Sequence, residues 1–140
     1  MCLTISIEAD ATDRERLAVA ALAASAFGLR VDIEHTSRWP WAQRTTVRAT
    51  ITDGGGCACG LLSDDADWSS ESWRMRPDIV EPLARTLEVL LQHGPGRVAV
   101  EAFWAGDRPH REVRLASNEM GAIVRGKGLG TKVRYIIERA

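Results

Sequence analysis

The chain has 140 residues, of which 45% are hydrophobic and 26% charged, and a formal net charge of −1. That length suits one domain spanning residues 1–140, able to bury a core without metal or disulfide staples, and the composition excludes a disordered chain. A total charge this close to zero argues against a nucleic-acid binder held by counterion release, although the basic residues concentrate in the second half and sixteen of the eighteen are arginine. The longest apolar stretch, Leu17 to Leu29, is too short to cross a bilayer, and no charged-then-apolar leader opens the sequence. The expected location is the cytoplasm, with no membrane partner.

Leu3, Ile5 and Ile7 alternate with Thr4, Ser6 and Glu8, which predicts a half-buried first strand. Thr12 followed by Glu15 reads as a capping box, and Leu17, Ala20, Ala21, Ala24 and Phe27 recur at helical spacing until Gly28. Alternation returns in Leu29, Val31 and Ile33 and again in Val47, Ala49 and Ile51, two strands of a hairpin around Trp39-Pro40-Trp41. After a polar stretch from Ser63 to Arg76, Leu83, Leu87, Leu90 and Leu91 mark a second helix that ends at His93-Gly94-Pro95, with Pro82 obscuring its start. Val98, Val100, Ala102 and Trp104 predict a fourth strand, Val113 and Leu115 a fifth, and Val133, Tyr135 and Ile137 a sixth. Ser117 is placed to cap a short helix carrying Met120, Ile123 and Val124 before the last strand.

The order β-α-β-β-α-β followed by β-α-β predicts an α+β two-layer sandwich: a ferredoxin-like unit with a C-terminal extension, a largely antiparallel sheet and helices on one face. The polar positions Thr4, Ser6, Asp32, Glu34, Arg48, Thr50, Glu101 and Arg114 then share the other face.

Three groups of residues carry the functional expectations. The first is the glycine-rich turn Gly54-Gly55-Gly56-Cys57-Ala58-Cys59-Gly60. If the first and third strands are antiparallel neighbours, Cys2 falls beside Cys57 and Cys59, and the connection holding His110 emerges at the same end of the sheet. Such a Cys/His set suits a transition metal such as zinc, though a single residue between paired cysteines departs from the usual two to four. A thiol-redox turn and simple packing of reduced cysteines compete with that reading.

The second group is the loop tryptophans Trp39, Trp41, Trp68 and Trp73 with the flanking arginines Arg38, Arg44 and Arg74, a pairing enriched at the energetic centres of protein interfaces. The third is the basic run Arg125, Lys127, Lys132 and Arg134 around Gly126-Lys127-Gly128-Leu129-Gly130, an expected contact for an acidic partner. Its glycines lead from helix into strand, the reverse of a phosphate loop. The three histidines are scattered, and no nucleophile or metalloprotease motif occurs. The sequence therefore points to a non-enzymatic binding or accessory protein that engages another protein or a second copy of itself. The alternative is a cysteine-dependent redox or metal-binding protein centred on Cys57 and Cys59.

Overall fold

Strand β1 (Leu3–Asp10) places Leu3, Ile5, Ile7 and Ala9 on one side, where all four are buried, because successive side chains of an extended chain point to opposite faces. The structure, a computed structural model, describes residues 3–34, 46–54, 58–62, 75–104, 111–126, 128–130 and 133–139. After β1 come α1 (Arg14–Ala24), β2 (Arg30–Ile33), β3 (Thr46–Thr52), α2 (Pro77–His93), β4 (Arg97–Trp104), β5 (Arg111–Leu115), α3 (Met120–Gly126) and β6 (Val133–Glu138). The strands form one open sheet in the order β2-β3-β1-β4-β6-β5. Neighbours are antiparallel except β5 and β6, so the class is α+β with a mixed sheet. β1 lies between β3 and β4, with Ile5 opposite both Ile51 and Ala102.

Register carries the apolar parity across the whole sheet. Val98 and Val100 of β4, Tyr135 and Ile137 of β6, and Val47 and Ile51 of β3 join the same core as Leu3 and Ile5. Leu17, Ala20 and Ala24 of α1, Leu83, Leu87 and Leu90 of α2, and Met120 and Val124 of α3 complete it. α1 packs on α2 and α2 on α3, so the three helices share one layer. α1 is less one-sided than α2: Val19 and Leu22 point outward at 69% and 77% exposure.

Three local details differ from the sequence reading. Asp10 rather than Thr12 caps the entry to the first helix: its carboxylate accepts from the Thr12 backbone N–H (2.9 Å) and hydroxyl (2.7 Å), closing a short 3-10 turn ahead of α1. These two bonds hold the Asp10 carboxyl below the usual aspartate range. At α3, Glu119 reaches back to the Ala116 N–H (2.7 Å), so a carboxylate supplies the cap expected from Ser117. α2 continues through Pro82; the proline's missing N–H leaves the carbonyl of Asp78, an exposed residue of the first turn, without its helical donor.

Candidate functional site

The start of β1, the turn after β3 and the end of β4 meet at one end of the sheet. Ala58 N–H donates to the Leu3 carbonyl (2.9 Å), Leu3 N–H donates to the Cys59 Sγ (3.2 Å), and Leu3 stands opposite Trp104. Cys59 is thus a half-buried thiol fastened to the first residue of β1. Beside it, on the face away from the helices, Thr4, Thr50, Thr52, Glu34 and Ala58 line a hollow of about 240 Å³. Cys2, Cys57 and His110 lie outside the described residues, and among the described residues no three His, Cys, Asp or Glu side chains gather around a common point. Trp39, Trp41, Trp68, Trp73, Arg38, Arg44 and Arg74 also lie outside the described residues.

Of the basic run, Lys127 and Lys132 are outside the described residues, and the structure separates the two arginines. Arg134 lies on the sheet face away from the helices. Its guanidinium bonds Glu101 (2.5 Å) and Glu8 (3.0 Å), and Glu8 bonds Arg48 as well (3.1 Å), giving a ladder across β3, β1, β4 and β6. Arg48 also stacks over the Phe103 ring at 6.0 Å. Burial works against the charge on Glu8, but hydrogen bonds from Arg134 and Arg48 outweigh it and hold the carboxyl below the ordinary range. Burial likewise opposes the charge on Arg134, and the two carboxylates overcome it.

Arg125 is in the helix layer, where it bonds Glu81 through two nitrogens (2.8 and 2.9 Å) and Glu88 through a third (2.5 Å). Those bonds raise its pKa above the ordinary arginine value. They also clamp α3 onto α2. Gly121 makes the approach feasible, since a Cβ there would overlap the Glu88 carboxylate.

The other flank of α3 is open. Between α3 and the edge strand β5 lies a cleft of about 780 Å³, within the size range of small-molecule sites. Its walls are Val113 and Leu115 of β5, Ala122 and Ile123 of α3, and Val133 and Tyr135 of β6, so the lining is mainly apolar. Four polar side chains among the described lining residues interrupt it: Arg111, Asn118, Glu119 and Tyr135. Arg111 shares a strand face with Val113 and Leu115 and has no carboxylate partner among the described residues. Glu119 sits at the opposite end, after Leu115, occupied with its cap. Tyr135 is 6% exposed, and its hydroxyl accepts from the Gly130 N–H at 2.8 Å. Gly130 is held close: a Cβ there would press on the Tyr135 oxygen and on Val133.

The sequence reading assigned no role to this cleft, although its strand residues were visible as the alternation of Val113 and Leu115. The missing information was that β5 is an edge strand and that α3 leans toward α2. Both are long-range outcomes.

No protein-family model matches the chain, and no curated protein or solved structure matches it either.

Proposed function

We propose that this chain is a small non-enzymatic binding protein, and that it takes its ligand in the cleft between α3 and β5. The observation that carries the reading is the cleft itself: a half-open, mainly apolar hollow of about 780 Å³ with a few placed polar groups, the general form of a ligand site. The strand order β2-β3-β1-β4 supports a ferredoxin-like unit, in which case β6, α3 and β5 are the extension that adds the site to its edge. Engagement of a protein partner or a second copy through the tryptophan loops belongs to the same accessory role, with the ligand in the cleft as its signal.

The test is occlusion. Ala122 is exposed on α3 and lines the cleft, so Ala122→Trp fills it without touching the core. The neutral dye Nile red brightens with the wild-type protein and at least tenfold less with Ala122→Trp, while both circular dichroism spectra stay the same. Equal brightening with both proteins would remove the cleft from consideration.

A second reading rests on the Leu3 N–H to Cys59 Sγ bond, which fastens the cysteine turn to the start of β1. It is the thiol or metal reading of Cys57 and Cys59, with Cys2 and His110 as further candidates. Metal analysis and thiol counting on protein purified without chelator or reductant decide it: a stoichiometric metal or a missing pair of thiols supports it. Three titratable thiols without metal leave the cysteines a packing role.

A further inference from the structure

Building on the cleft as the binding site, we infer that its ligand is an amphipathic monocarboxylate, an apolar chain or ring ending in one carboxylate, held head-first at the Arg111 end. Two independent observations point to a head group there. The first is the Tyr135 hydroxyl. It accepts from Gly130, but its own hydrogen has no acceptor among the described residues, although the side chain is 94% buried in the wall of the cleft. A buried hydroxyl donor left without an acceptor is costly, and a ligand oxygen in the cleft supplies one.

The second is the charge layout. The sheet arginines Arg30, Arg48, Arg97, Arg114 and Arg134 all have a carboxylate within 3.5 Å, yet Arg111 has none among the described residues. Arg111 stands opposite Val133 in the β5–β6 register, and the Tyr135 hydroxyl reaches Gly130, three positions before Val133. Both donors therefore belong to the same end of the cleft. Among the described residues, the only carboxylate lining the cleft, Glu119, lies beyond Leu115 at the far end, where it would repel an anion entering the other way round. Between the two ends run Val113, Leu115 and Ile123, the surface for an apolar tail. A planar guanidinium fork and a hydroxyl donor match a carboxylate, and one head matches the one cation, Arg111, among the described lining residues.

Decanoate and decanol separate the head group from the tail. Titrated below micellar concentration into the isotope-labelled protein, decanoate shifts the amides of β5, α3 and Gly130 and binds about tenfold more tightly than decanol. Arg111→Gln brings decanoate to the affinity of decanol and leaves decanol unchanged. Tyr135→Phe weakens both probes, since each offers an oxygen to the hydroxyl hydrogen. Equal affinities for the two probes in the wild type, or a preference that survives Arg111→Gln, would overturn the carboxylate assignment while leaving the cleft as an apolar site. Absence of shifts with both probes would overturn the carboxylate assignment and, if Nile red also fails, the cleft reading with it.

Discussion

On the helix side of β1, Leu3, Ile5 and Ile7 disappear into a continuous apolar core, whereas on the other side of the same strand Ser6 and Glu8 face Thr50, Arg48 and Glu101 across the register. The middle of the polar face is covered as well, with Ser6 1% exposed and Glu101 9%, while Asp32 and Arg114 toward its edges are exposed. The cohesion differs in kind. Apolar burial is non-directional and tolerates exchange of shape, but a buried charge is stable only while each partner is in place. One sheet thus shows two ways of closing a face: by the volume of the side chains above it, and by a ladder in which Arg134 must reach Glu101 and Glu8 together. The polar face read from the sequence is therefore less a bare solvent-facing surface than a layer of charges that neutralise one another.

Substitutions can break the comparison from either side. The largest effect is expected on the helix side: Leu87→Ala, at a fully buried position of α2, should lower unfolding stability in urea by about 3 kcal/mol. Leu22→Ala on the exposed side of α1 should stay within about 0.5 kcal/mol, and a similar cost for both would mean that the core is not the organising layer. Next comes Arg134→Ala, expected to cost about 2 kcal/mol because Glu101 and Glu8 lose the guanidinium they share. The double substitution Arg134→Met with Glu101→Leu should recover most of that loss, since the penalty comes from a stranded charge rather than from the absence of a charged pair. A double variant no better than the single one would show that the ladder contributes net attraction.

The smallest effect sharpens the charge argument through pH. Glu8 has its carboxyl held below the ordinary glutamate value of 4.5, so its contribution is complete above that pH and disappears as pH falls through the lowered value. Glu8→Gln should therefore flatten the fall in melting temperature between about pH 5 and pH 3 while changing little of the slope at neutral pH. An unchanged acid limb would place the acid sensitivity in other carboxylates, of which Asp10, hydrogen-bonded to Thr12, is one.

Most of the elements were legible because their signals are local. The alternation in 3–8 fixed β1 and both its faces, and the leucine spacing in 83–91 fixed the buried stripe of α2, since a period of 2 or 3.6 is a property of a short segment. Capping was harder to read, because Thr12 and Asp10 are equally suited by type and only the turn geometry chose Asp10.

The sequence by itself determined the strands, the helices and which face of each is apolar. Tertiary structure decided what those faces meet. It set Arg134 against Glu8, 126 residues away, and Arg125 against Glu81 on another helix, so two arginines that are close in the chain ended in different layers. It also drew α3 toward α2 through Arg125 and Gly121 and left the β5 flank open as a cleft. Periodicity records the direction of a side chain relative to its own backbone, whereas a cleft is the space between elements, fixed only when the whole sheet has chosen its order.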